Sequence, residues 1–387
     1  MSNNKHFRSI AAILCLVVAP LAIAATADVI TSPTNLLLAP SEANPRNSEG
    51  DFIELKDGRI LFVYTHFSSG ASDYAKAHLA GRFSEDRGVT WDQKDTVIVP
   101  HPGGLNIMSV SLLRLQDGSI ALLYLHKVDK DECIPMLLIS TDEAQSWSKP
   151  TACITDPIGY YVVNNDRMIQ LKSGRLIIPA ARHLLKGETK FQRGIALCTL
   201  SDDGGKTWHL SKTTLEAPKD ISSGLQEPAV LELLDGRILM LNRTSGGAQY
   251  RSFSDDQGET WSPVEKTALI SPVSPATLER IPGRNDLLLV WNDHSDVGEL
   301  RKGKRSPLRA AISKDDGQTW HVTKTLEDLA HGWYCYIAMD FVDDHVLLGY
   351  CSGDRREGNG LDTTKVTRIP IEDFYANLAS APILKEN

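Results

Sequence analysis

"SDDGGKTW" occupies residues 201–208, and it reads as a tight turn followed by an anchor. Aspartate and glycine favour turn backbone, and tryptophan buries a large apolar surface. The phrase recurs as "SEDRGVTW" (84–91), "STDEAQSW" (140–147), "SDDQGETW" (254–261) and "SKDDGQTW" (313–320). The leading serines at 84, 140, 201, 254 and 313 are spaced by 56, 61, 53 and 59 residues. A recurring period of this size marks a repeat architecture.

A second feature precedes each octapeptide. "FIELKDGRILFVYTH" (52–66), "VSLLRLQDGSIALLYLH" (110–126), "DRMIQLKSGRLIIPAARH" (166–183) and "PAVLELLDGRILMLNR" (228–243) are each a β-rich run, an Asp-Gly or Ser-Gly turn and a second β-rich run. That is a hairpin signature. "ATLERIPGRNDLLLVWND" (276–293) is a fifth with a longer loop, and "CYIAMDFVDDHVLLGYC" (335–351) a sixth without turn glycine. A hairpin, a strand ending at the octapeptide serine, and a strand beyond it make four strands per unit. Six such units without a long amphipathic helix predict an all-β, six-bladed propeller. The octapeptide is then scaffold: its Asp and Ser/Thr side chains bind turn backbone and its Trp packs into the blade. "VITSPTNLLLAP" (29–40) is expected to close the ring beside "TTKVTRIPIEDFY" (363–375).

The bulk numbers fit a globular protein. The 387 residues are 42% hydrophobic and 23% charged, with a net charge of −8. That balance offers no basic stripe, so nucleic acid is not an expected partner. Lys5 and Arg8 precede the apolar run "AAILCLVVAPLAIAA", followed by small residues suited to cleavage. Residues 1–27 are expected to be a signal peptide and 28–387 one propeller domain, secreted or periplasmic, with no membrane attachment after cleavage. Cys133, Cys153, Cys198, Cys335 and Cys351 remain, an odd, sparse set unlike a disulfide framework. Cys335 and Cys351 flank one hairpin and are open to pairing or to remaining buried thiols. No CxxC or HExxH pattern occurs, and no metal or other cofactor is expected.

The octapeptide matches the Asp-box, Ser-x-Asp-x-Gly-x-Thr-Trp, and across nearly all of residues 28–387 the chain resembles the sialidase (neuraminidase) superfamily. One copy departs from the pattern, with Ala144 in the place of glycine. Asp-boxes also occur in sorting receptors and carbohydrate lyases, so the site needs its own argument. Inner strands of a propeller converge on its axis. Nine residues before the hairpin glycines Gly58, Gly118, Gly174 and Gly236 stand Glu49, Ser109, Asn165 and Glu227, all polar and all candidates to ring one cavity.

The resemblance implies roles for specific positions. Glu227 with Arg243 sixteen residues later matches the family's fourth-blade Glu and Arg, and Arg305, eight before Ser313, matches a further Arg. "GWYCYIA" offers Tyr334 as the nucleophile, with Tyr336 beside it on the same face by the two-residue period. Asp73, ahead of the first Asp-box, matches the acid/base. A tyrosine activated by Glu227 avoids the repulsion that a carboxylate nucleophile would meet at a carbon bearing a carboxylate. Asp73 would protonate the leaving oxygen, and the arginines would clamp the substrate carboxylate.

One departure stands out. The family opens its first blade with Phe/Tyr-Arg-Ile-Pro, whereas "NPRNSEGDFIEL" puts Ser48 or Glu49 at that place, with Arg46 three positions off. An acid there would repel a substrate carboxylate. Arg167, beside Asp166 in "NNDRMIQL", is a candidate to restore the charge or to pair with an acid. His66 and His126, each eight beyond a hairpin glycine, and His78 are further candidates. The resemblance implies a secreted, exo-acting α-sialidase-like glycoside hydrolase that releases a terminal acidic sugar from a glycan or polysaccharide. The alternatives are a non-catalytic glycan-binding propeller and a lyase acting on uronate polymers with Tyr and His as base and acid.

Overall fold

In the computed structural model, which describes Met1 and residues 29–386, the chain is built of short antiparallel strands with three single-turn 3-10 helices. Apart from Met1, the expected signal peptide lies outside the described residues. Among the described residues no helix is long and apolar enough to cross a membrane, which leaves β-barrels unaddressed.

The hairpins form where the turn chemistry places them. Gly58, Gly118, Gly174 and Gly236 all have φ between 86° and 95°, backbone that glycine adopts without a Cβ clash. In each, the glycine amide donates to the carbonyl of the leucine three residues before it, as Gly58 does to Leu55 (2.9 Å). The first sheet runs Arg46–Glu54, Ile60–Phe67, Ala77–Ser84, Thr96–Val99, and each octapeptide links the last two strands of such a meander. Inside the octapeptide one carboxylate organises the turn. Asp203 accepts from Ser201 Oγ (2.9 Å), from Thr207 N (2.9 Å) and from Thr207 Oγ1 (2.6 Å). The other four copies repeat the pattern, and Ala144 takes the glycine's left-handed backbone at φ 62°.

Three sheets have four strands, one has five and one has ten, so six separate four-stranded sheets are not what forms. The cause is Gly159–Val162. It pairs antiparallel with Leu176–Leu185 and, at Tyr160↔Cys133, parallel with Cys133–Ser140, joining the second and third meanders into one sheet. The five-stranded sheet gains Ile383–Lys385, which pairs with Thr319–Glu327. Leu36–Leu38 pairs with Thr364–Pro370, so the first described strand completes the sheet that holds the last meander, as expected.

The arrangement is that of a propeller. Apolar clusters fill the gaps between successive meanders, and they hold the octapeptide tryptophans. Trp91 packs with Phe52, Phe62 and Leu347, and Trp320 with Leu239, Leu278 and Leu289. Trp261 lies with Ile177 and Leu200, while Trp147 and Trp208 pack at the edges of two further clusters. Trp91, Trp261 and Trp320 thus each sit in a cluster shared between their own meander and the preceding one. Polar bonds tie the inner strands to one another at the axis. Leu112 N donates to Asp51 Oδ2 (2.7 Å), Asp166 N to Val110 O (3.0 Å), Asn165 Nδ2 to Gly50 O (2.8 Å), and Thr277 Oγ1 to Ile337 O (2.8 Å).

Candidate functional site

The inner strands share one irregularity. Bulges interrupt four of them, between Ser48 and Asp51, Met108 and Ser111, Gln226 and Ala229, and Cys335 and Ala338. At these points Glu49 (φ 55°), Ser109 (60°), Glu227 (42°) and Tyr336 (57°) adopt left-handed backbone, as does Asp166 (55°) in the third repeat. A bulge re-aims one side chain out of the strand's alternation. Glu49, Ser109, Glu227 and Tyr336 all end on the wall of one cavity of about 280 Å³ at the starts of the inner strands.

The bulge also corrects the tyrosine assignment. Period two puts Tyr334 and Tyr336 on one face, but the extra residue separates them. Tyr334 is 3% exposed in an apolar cluster, edge-on to Tyr350 with centroids 6.5 Å apart. Tyr336 is the tyrosine at the cavity. Burial pushes its phenol up, the Glu227 charge adds to this, and Arg305 and Arg243 oppose it, so the free site holds a neutral phenol. Asn165 is corrected in the same way. In the third repeat the left-handed residue is Asp166, and the Asn165 amide braces Gly50 O and Tyr336 O (3.1 Å) instead of facing the cavity.

Glu227 and Arg243 meet as expected, with Arg243 Nη1 donating to Glu227 Oε2 (2.6 Å), both on the cavity wall. Arg305 lies behind that wall, its guanidinium 5.1 Å from the Tyr336 ring centroid and 5.2 Å from that of Trp333, with Nε and Nη1 unpartnered. Asp73 reaches the wall from the 68–76 loop, its side chain 60% exposed and ion-paired to Arg46 (2.5 Å). Partial burial works to raise the Asp73 carboxyl, but Arg46, helped by Lys127 and Arg305, outweighs it and holds it below the usual range. Glu49 runs the other way: burial raises its carboxyl, and Arg46 only partly opposes.

Other candidates sit elsewhere. Arg167 donates to Asp166 O (2.8 Å), Thr277 Oγ1 (3.2 Å) and Ala276 O (2.9 Å), and lines a second cavity of about 420 Å³ at the far ends of the inner strands. It therefore does not replace the missing charge. Asp166 lines the same far cavity with Asp51, Glu279 and Asp340. His66 pairs with Asp95 (3.0 Å) and stacks on His78 (4.5 Å), and His126 meets Gly103 O (3.1 Å), so none of the three histidines reaches the cavity at the starts of the strands. The error is one residue. Lys127 and His183, each nine beyond a hairpin glycine, do line that cavity, because a single step along a strand reverses the face. Lys127 is buried, donates to Asp73 O (2.6 Å) and lies 4.9 Å from the Tyr74 ring. His183 stacks on Phe191 (4.5 Å), which meets Tyr160 edge-on at 5.1 Å, giving the cavity an aromatic side. Burial lowers the His183 imidazole, favouring the neutral ring. Among the described residues Cys133, Cys153, Cys198, Cys335 and Cys351 are buried free thiols, with Cys335 and Cys351 directly opposite one another.

A propeller with a tyrosine, three acids and an arginine on the wall of one axial cavity is of the sialidase-like fold class. More narrowly, residues 101–346 match the model of the BNR repeat-like domain, and the chain belongs to that family. It is 31% identical over 208 residues to a sialidase from Micromonospora viridifaciens, a match covering 49% of this chain and 29% of that protein's length. The fold is similar to a Dyadobacter fermentans protein of unknown function (TM-score 0.69, 20% identity, 88% of this chain and 99% of the other). It is also similar to the NanB sialidase of Streptococcus pneumoniae (TM-score 0.66, 15% identity, 88% and 71% covered).

Proposed function

We propose that the protein is an exported glycoside hydrolase of the sialidase type, releasing a terminal, acidic sugar from a glycan. One observation carries this: Tyr336, Glu227, Arg243 and Asp73, distant in sequence, stand on the wall of one cavity. Tyr336 takes the place expected of Tyr334. Its oxygen bonds to the anomeric carbon as the bond to the leaving oxygen breaks; Glu227 takes the phenolic proton, and Asp73 protonates the departing oxygen. Water then attacks the same carbon, passing a proton to Asp73 while Glu227 returns one to Tyr336. Arg243, with Arg305 behind Tyr336, supplies positive charge for an anionic group of the sugar. The ten-stranded sheet is taken as two blades joined by Gly159–Val162, which makes six units around the axis, and residues 28–387 as one domain released by cleavage of residues 1–27 into the periplasm or exterior.

The test is a release screen over sialosides and other terminal glycosides, run with Tyr336→Phe and Glu227→Gln. Turnover by the wild type, lost by about 10³-fold or more in Tyr336→Phe, supports the assignment. Binding without turnover across the panel favours a glycan-binding propeller. Absorbance from an unsaturated uronate favours a lyase, for which His183 on the same wall as Tyr336 is the available imidazole.

A further inference from the structure

Arg46 begins the first inner strand, is 1% exposed, and uses both terminal nitrogens inside the protein. Nη1 donates to Asp73 Oδ1 (2.5 Å) and Ala71 O (3.3 Å), and Nη2 to Glu49 Oε1 (3.2 Å) and Ser48 Oγ (3.3 Å). A terminal guanidinium nitrogen carries two protons, so four acceptors account for all four. The guanidinium also stacks over Phe67, 4.4 Å from its centroid. Behind it, Ser109 Oγ donates to Glu49 Oε2 (2.8 Å). A line of contacts runs from Ser109 through Glu49 and Arg46 to Asp73, on a loop that otherwise projects into solvent. The same loop is held at its backbone by Asn106 Nδ2, which donates to Asp73 O (2.8 Å) and Ala75 O (3.0 Å).

We propose that Arg46 is a positioning residue, which fixes the Asp73 carboxylate over the cavity instead of binding the sugar's anionic group. The inference rests on the glycosidase assignment above for its kinetic consequence, but not for its structural one. Besides Arg46, the titratable groups facing Asp73 are Glu49 from the same strand, Lys127 and Tyr160 from the second and third meanders, Arg305 from the fifth, and Tyr74 beside it in the loop. Arg46 makes the direct side-chain contact with Asp73, so its removal changes the Asp73 proton affinity most. A proton donor works only in its acid form. kcat/KM, which reports the free enzyme, therefore falls as pH rises through the Asp73 midpoint. Removing Arg46 raises that midpoint and moves the fall to higher pH.

The experiment is a carbon-13 carboxyl NMR titration of Asp73 in the wild type, Arg46→Met and Arg46→Lys, with pH profiles on whichever glycoside the wild type cleaves. The expected wild-type midpoint lies below the ordinary value of about 3.9, and Arg46→Met raises it by about one unit or more, tenfold in proton affinity. kcat is expected to fall in Arg46→Met at nearly constant KM, with Arg46→Lys intermediate. A wild-type midpoint at or above the ordinary value overturns the proposal without any variant, so a misfolded Arg46→Met does not protect it. An unchanged midpoint in a folded variant, or a raised KM at constant kcat, overturns it as well. If no glycoside is cleaved, the functional assignment fails, and the titration still decides the role of Arg46.

Discussion

The far cavity predicts an unusual pH dependence of stability. Asp340 faces it beside Asp51, Asp166 and Glu279. Burial raises the Asp340 carboxyl from 3.8 to about 7, the amide of Phe341 partly opposing and Asp166 adding. Asp166 is raised to about 6, again chiefly by burial. The folded protein therefore holds a proton on Asp340 that the unfolded chain has released, and stability falls as pH rises between the two values. For midpoints of 3.8 and about 7, roughly 2 units of the shift are lost between pH 5 and pH 8, which with solvent at the cavity comes to about 2 kcal/mol. Asp340→Asn removes the titration and keeps an oxygen for the Phe341 amide, which now donates to Asp340 Oδ1 (2.8 Å). Urea unfolding at pH 5 and pH 8, followed by tryptophan fluorescence, should show the wild type losing about 2 kcal/mol more than Asp340→Asn across that interval. Equal losses in the two proteins, within about 0.5 kcal/mol, would refute the assignment of that proton to Asp340.

Three other substitutions separate scaffold from site. Tyr334→Phe should leave kcat within about twofold of the wild type on any cleaved glycoside, because the ring lies in an apolar cluster away from the cavity. Asp203→Ala removes the acceptor for Ser201 and for both donors of Thr207, and should lower urea stability by about 1–3 kcal/mol with kcat unchanged. Gly50→Ala would place a Cβ 2.5 Å from Phe62 Cζ and 2.7 Å from Val63 O, so a loss of about 2 kcal/mol or more, or poor soluble yield, is expected in the same assay.

Local chemistry made the repeat legible. Turn glycines, alternating strands and the octapeptide carboxylate act within a dozen residues, and their bonds form where their spacing puts them. What escaped were shifts of a single residue. The bulge between Cys335 and Ala338 is not written in any side-chain pattern, so Tyr334 and Tyr336 were indistinguishable by period. Counting eight instead of nine beyond the hairpin glycines picked His66 and His126 over Phe67 and Lys127, the residues that touch Arg46 and Asp73. The fusion of two meanders through Gly159–Val162 depends on one parallel pairing, Tyr160 with Cys133, that no local turn signal marks. Arg46 was visible only as a charge out of register. Its length, and the backbone of the 68–76 loop, bring it to Asp73.

The left-handed residues at the axis carry a further implication. Glu49, Ser109, Asp166, Glu227 and Tyr336 occupy backbone that any L-residue with a Cβ resists, at about 1–2 kcal/mol apiece, and that glycine or asparagine would adopt more readily. Selection for sturdiness alone would drift these five positions toward small, permissive residues and empty the channel of chemistry. A tyrosine and three acids kept there indicate that the molecule gives up rigidity at its centre for what those groups do. Because five repeats each contribute one such residue, a new specificity is reachable by exchanging one side chain while the surrounding scaffold stays as it is.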